Sequence, residues 1–176
     1  MKRLAFSGLI MVLIVMATSC SQKGKLDKQI KDLEEEIFSV TDQAINTEKT
    51  AQLVDAYIAY ADAYPGDKKA PEYLFNAGNV AMNLLDPKKA IAVFDRILQD
   101  YPDYERIPHC LFLKAFINEN QMNQLGQAEM LYREFLQKYP GHEFADDAEL
   151  SLKNLGKSPE ELLEQFQQAA SADSLQ

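Results

Sequence analysis

Two histidines and two cysteines in 176 residues leave little material for a metal centre or a catalytic pair. Seven glycines and seven prolines are too few for a collagen-like or linker-dominated protein. Cations are outnumbered, 18 Lys and Arg against 27 Asp and Glu, and the formal charge is −9. That balance argues against nucleic acid, whose phosphates need clustered Lys and Arg. There is no Gly-rich phosphate loop and no nucleophile motif around His109 or His142, so the chain does not read as an enzyme. No stretch alternates with period two for long enough to predict a sheet. What is present is 47% hydrophobic residues, enough to exclude a disordered chain, in a length that suits one ordinary domain. The expectation is an all-α binding or assembly protein, with no metal and no cofactor.

Residues 1–19 read as a targeting segment. Met1-Lys2-Arg3 carries two cations, an uncharged apolar run from Leu9 to Ala17 follows, and the small residues Ala17-Thr18-Ser19 precede Cys20. These are the three parts of a secretory signal. A permanent span needs about 20 apolar residues and is not expected here. Ala17-Thr18-Ser19-Cys20 resembles the lipobox of bacterial lipoproteins, which implies acylation of Cys20 and cleavage before it. Acyl chains contribute about 0.8 kcal/mol per buried CH₂, enough for a triacylated Cys20 to stay on the membrane. The same resemblance implies that a lipoprotein with Ser21 after its cysteine goes to the outer membrane, and the expectation is that it faces the periplasm. Cleavage would remove Lys2 and Arg3 and no acid, moving the charge from −9 to −11 over 157 remaining residues. Cys110 would then be the only free thiol, so no intrachain disulfide is expected. Within the apolar run Pro108–Leu113 it reads as a small buried hydrophobe. Residues 20–24 are the lipidated Cys and a short tether, 25–170 the fold, and 171–176 a tail.

An internal repeat organises the rest. Tyr-Pro occurs at Tyr64-Pro65, Tyr101-Pro102 and Tyr139-Pro140, spaced by 37 and 38 residues. Before each lies the same apolar stripe: Leu53, Tyr57, Tyr60 and Ala61; then Ala90, Phe94, Ile97 and Leu98; then Ala128, Tyr132, Phe135 and Leu136. Steps of four, three and one place each set on one helical face. The proline stops each helix because it cannot donate the next backbone hydrogen bond. Helix starts are predicted at Asp86-Pro87, with an N-cap Asp, and at Ser158-Pro159-Glu160-Glu161, a capping box.

These residues resemble the tetratricopeptide repeat, whose pattern has apolar or small residues at fixed positions in two helices and a late proline. Counting from Pro71, the match is Leu74, Ala77, Gly78, Ala81, Ala90, Phe94, Ile97 and Pro102. Counting from Glu34 gives Ile37, Val40, Thr41, Ala44, Leu53, Tyr57, Tyr60 and Pro65. Counting from Pro108 gives Leu111, Ala115, Ala128, Tyr132, Phe135 and Pro140, with Lys114 and Asn118 departing from the pattern. The resemblance implies a right-handed solenoid of antiparallel helix hairpins. Its repeats lie near 34–67, 71–104 and 108–142, with a partial one at 144–170 that keeps Leu162 and Phe166. A leading amphipathic helix carries the heptad stripe Leu26, Ile30, Leu33 and Ile37. It is expected to pack on its own hairpin, and an oligomerising coiled coil is the alternative.

Phe38, Phe75 and Phe112 recur every 37 residues. By the same resemblance they sit where the family's concave groove lies. Their groove neighbours would be Glu35, Asp42 and Ile45; then Glu72, Asn79 and Met82; then His109, Phe116 and Glu119. Such an apolar, acidic trough would take up a peptide by burial and select Lys or Arg on it. The same stripe also packs between repeats, so groove and core both remain open for the three Phe. A partner with an acidic tail is disfavoured, since Phe stands where a carboxylate clamp needs cations. His142 and Asp146 are four apart, but His142 lies in a Pro-Gly-His turn before the expected helix, so no shared ion is predicted.

As a whole the chain resembles the outer-membrane assembly lipoproteins of the BamD type and the Tol–Pal-associated periplasmic repeat protein. Both imply a protein or peptide partner and a role in envelope assembly or maintenance. A structural oligomer through the leading helix, or a small-molecule binder in the trough, are the other readings.

Overall fold

A computed structural model describes residues 22–39, 46–84, 86–158, 160–165 and 167. The signal segment, Cys20, Val40, Thr41, Asp42, Ala44, Ile45, Phe166 and the tail lie outside the described residues. Within them, every regular element is a helix, and no helix is long and apolar enough to cross a membrane. Residues 22–38 form α1. The next helices are α2 (Thr47–Ala63), α3 (Ala70–Asn83), α4 (Pro87–Asp100), α5 (Ile107–Asn120), α6 (Leu125–Lys138) and α7 (Ala145–Asn154). Residues 160–165 form a further turn of helix, α8.

The helix ends follow local chemistry. The Lys89 N–H donates to Asp86 Oδ1 at 3.1 Å, the predicted N-cap. The capping box also forms: the Glu161 N–H donates to Ser158 Oγ at 3.2 Å, and the Ser158 N–H to Glu161 Oε2 at 2.7 Å. At Tyr64 and Tyr139 the backbone leaves helical geometry (φ −135° and −133°) while each N–H still closes on the carbonyl four residues back. The following proline then ends the ladder. After α7 the chain turns through Gly156 at φ +75°, where a Cβ would also stand 3.2 Å from Leu125 Cδ1. The left-handed backbone favours glycine there, and a Cβ would also make Leu125 shift by a few tenths of an ångström.

The chain divides into two compact units, residues 1–93 and 94–176. In the first, α2 packs on α3. Its core holds Leu53, Val54, Tyr57, Tyr60, Leu74 and Phe75, and the small residues Ala56, Ala61, Ala70 and Ala77 are also buried. Tyr73 lies between Tyr57 and Tyr60, with ring centroids 5.3 and 4.7 Å away. In the second unit α5 packs on α6 and α6 on α7. Its core is Leu111, Ala115, Ala128, Leu131, Tyr132, Phe135 and Ala148. The stripes before each Tyr-Pro are therefore core: Leu53, Tyr60, Ala61, Ala90, Phe94, Ile97, Ala128, Tyr132 and Phe135 are all 0% exposed.

Two departures from the repeat pattern are accommodated by hydrogen bonds. Asn118 is buried, and its Nδ2 donates to the Lys114 carbonyl at 2.7 Å. Its own carbonyl accepts the Gln124 N–H at 2.7 Å and so closes the α5–α6 turn. Lys114 keeps its ammonium paired with Asp95. A buried amide with its donor satisfied costs little, which is why a polar residue fits an apolar position.

α1 docks on its own hairpin. Ile30 is fully buried, while Leu26, Leu33 and Ile37 are half-buried. Around them, Tyr57 Oη donates to Glu34 and Tyr73 Oη to Asp27, each at 2.7 Å. Lys69 pairs with Asp27 at 2.6 Å, and Lys49–Glu36 and Lys23–Asp67 add two more ion pairs. The heptad stripe is thus occupied within the chain.

Candidate functional site

Phe38, Phe75 and Phe112 have the same register in sequence but three different surroundings. Phe38, in the last turn of α1, is 64% exposed. Phe75 is 5% exposed and belongs to the core of the first unit. Phe112 is half-buried in the second, with ring centroids 4.8 Å from Phe144, 5.6 Å from Phe135 and 5.7 Å from Tyr132. Of the two alternatives, Phe75 and Phe112 take the core and Phe38 the surface.

Phe38 opens onto a groove of about 490 Å³ in the first unit. Glu34 and Glu35 of α1, Tyr57 of α2, and Asn76, Asn79 and Val80 of α3 complete its lining. Of the residues expected in a groove, Glu35, Phe38 and Asn79 are brought together here. Met82 is half-buried near the end of α3 and is not part of this lining. Phe116, 38% exposed, and Glu119 lie in the other unit, where Glu119 accepts a 2.7 Å bond from Tyr132 Oη. Asp42 and Ile45 are outside the described residues.

The groove's chemistry is set by which groups are already engaged. Burial, and then the Glu34 carboxylate, push the Tyr57 phenol well above its ordinary range, so it stays a neutral donor to Glu34. Glu34 is thereby held in place at the rim, with Glu35 exposed beside it. Two half-buried amides, Asn76 and Asn79, stand beside them; Asn76 is hydrogen-bonded to the Tyr57 phenol, and an amide side chain carries both donor and acceptor groups that match an extended backbone. No Lys or Arg lines the groove. The arrangement combines one apolar anchor, two carboxylates and two amides. Chemically this set suits an extended segment bearing cations beside an apolar residue. Tyr57 and Asn76 were not legible as groove residues, because repeat spacing marks Tyr57 as core and says nothing of Asn76.

A second cluster lies in the other unit. His109, in the first turn of α5, has its Nε2 3.5 Å from Glu143 Oε1, and its ring is 4.9 Å from that of His142. His142 and Glu143 stand in the turn before α7, which begins at Ala145. His142 is therefore off the helix, and it does not share a face with Asp146. Burial lowers the pKa of His109, His142 and Arg106 lower it further, and Glu143 opposes them. The neighbouring Cys110 is free and fully buried, and burial pushes its thiol up to about 12, as suits a packing residue.

Residues 72–104 and 109–142 match the sequence profile of the tetratricopeptide repeat family. These stretches span α3–α4 and α5–α6, and the all-helical, consecutively paired arrangement is the one typical of such repeats. The family as a rule forms non-enzymatic scaffolds that mediate protein–protein interaction. No curated protein sequence matches the chain.

Proposed function

We propose that this tetratricopeptide-repeat chain is a non-catalytic adaptor, lipid-anchored through Cys20 in the outer membrane and facing the periplasm. In this reading it docks an extended peptide segment of a partner protein during envelope assembly or maintenance. The observation that carries the docking is the groove joining an exposed Phe38 to Glu34, Glu35 and Asn79 with no cation among its lining residues. A phenyl ring left in water gains from burial by a partner, and it is the kind of residue that dominates interface energies. The two carboxylates and the net negative charge of the chain favour Lys or Arg beside the partner's apolar residue. The anchor is supported by the cationic start, the apolar run and the Ala17-Thr18-Ser19-Cys20 sequence. The envelope role follows from the resemblance to repeat lipoproteins. Self-association through α1 is less well supported, since Ile30 is already fully buried within the chain.

The test is selection of random peptides on the purified full-length chain in detergent. Selected sequences are expected to pair an apolar or aromatic residue with Lys or Arg, and their binding should weaken with salt. Enrichment of acidic peptides, or none above a chain carrying Phe38→Asp, would overturn the reading.

A further inference from the structure

We propose that His109, His142 and Glu143 bind one divalent transition-metal ion of the zinc class. One ligand atom from each residue lies within 4.8 Å of the other two. Tetrahedral zinc, with bonds of about 2.0–2.1 Å, spaces its ligand atoms about 3.3 Å apart. His109 Nε2 and Glu143 Oε1, at 3.5 Å, already meet that spacing. The third ligand, up to 4.8 Å away, needs a side-chain adjustment of about 1.5 Å at most to close on the same tetrahedron. Room for it exists, because the Glu143 side chain is 70% exposed and His142 sits in a turn.

The donor set decides which ion fits. Two imidazoles and a carboxylate suit zinc, cobalt or nickel, whereas magnesium and calcium require oxygen ligands. Three protein ligands leave a fourth position for water. The imidazoles also meet aromatic rings: Phe144 is 5.2 Å from His109 and 5.4 Å from His142, and Phe135 is 5.5 Å from His142. These rings give the imidazoles a partly apolar surround. The Phe144 N–H donates to His142 Nδ1 at 3.2 Å, at the long end of the range, so little is lost if that nitrogen turns to an ion. An ion here would join the start of α5 to the turn between α6 and α7, two segments 33 residues apart in sequence. The site uses none of the groove residues, so its test is independent of the peptide-binding reading.

The test uses the full-length chain without an affinity tag, stripped with chelator and titrated with zinc in a calorimeter. One zinc per chain is expected, with at least tenfold weaker binding in His142→Ala and severalfold weaker binding in Glu143→Gln. Cobalt is expected to give the visible spectrum of a four-coordinate nitrogen–oxygen site, lost in both variants. Glu143→Gln changes an exposed side chain, so its result does not depend on refolding. Zinc binding no tighter than that of a chain carrying both His142→Ala and Glu143→Gln, or a cobalt spectrum unchanged by the substitutions, would overturn the proposal. An equal response to magnesium would assign the signal to scattered surface carboxylates and overturn it as well.

Discussion

Phe38→Ala separates binding from folding. A phenylalanine exposes roughly 200 Å² when free. Phe38 is 64% exposed, which leaves on the order of 130 Å² for a partner to cover. At about 25 cal/mol per Å², complete coverage is worth up to ~3 kcal/mol. Partial coverage and ordering costs reduce this to about 1–2 kcal/mol, or roughly 5–30-fold in affinity. The fold should lose less than ~2 kcal/mol, since only the covered third of the ring contributes. Phe75→Ala is the contrast: at 5% exposure, truncation should cost about 3–5 kcal/mol and unfold much of the protein. Phe75 is therefore unsuitable as a groove probe despite its identical place in the repeat. Fluorescence anisotropy with a selected Lys-bearing peptide, run beside urea melts followed by circular dichroism, reads both quantities. If Phe38→Ala binds within twofold of the parent while folding normally, the groove is not the docking site. If it destabilises as much as Phe75→Ala, the ring is core and the reasoning fails.

Ile30→Ala should lower unfolding free energy by about 2–5 kcal/mol, because the only fully buried residue among those described in α1 is truncated; an unchanged urea midpoint would remove the docked α1. Burial raises the pKa of Asp27, but hydrogen bonds from Lys69 and Tyr73 outweigh it and the net direction is down. A depressed carboxylate stabilises above its unfolded pKa, about 3.9, and that contribution disappears as pH falls through the folded value. Asp27→Asn should accordingly flatten the acid limb of a stability–pH curve below about pH 5, by no more than ~1 kcal/mol given the exposure of Lys69; an identical limb in both proteins would contradict the Asp27 assignment. In a Cys20→Ser background, Cys110 should resist iodoacetamide at pH 8 until urea unfolds the chain, and labelling of the native protein at the unfolded rate would show it accessible. Cys20→Ser should also abolish palmitate labelling in cells, and labelling that persists would refute the lipid anchor.

Much of the fold was legible because its causes are local. A proline after tyrosine stops a helix wherever it stands, and a stripe at 3.6-residue spacing has to be covered by something. Leu53, Tyr60, Phe94, Ile97, Tyr132 and Phe135 could therefore be identified as core without knowing what covers them. The caps at Asp86 and Ser158 were equally local. The heptad on α1 left a choice between its own hairpin and a second copy. The stripe is the same in both cases, and the Tyr57–Glu34 and Tyr73–Asp27 bonds that tie it down link residues 23 and 46 apart.

What the linear order of residues could not decide was which members of a repeated set face outward and which distant side chains meet. Phe38, Phe75 and Phe112 share one register, yet exposure depends on the element lying over each ring. Phe144 and Phe135 pack against Phe112, Phe75 is enclosed in the first core, and Phe38 at the end of α1 is left open. His109 and His142 carry no joint signal either, because 33 residues separate them. Helical periodicity links only positions within a few turns. Packing of α5, α6 and α7 is what brings the two imidazoles to within 4.9 Å. Periodicity and turn chemistry act over a few residues and are written in the chain, whereas neighbourhood across the hairpins exists only once the helices have packed.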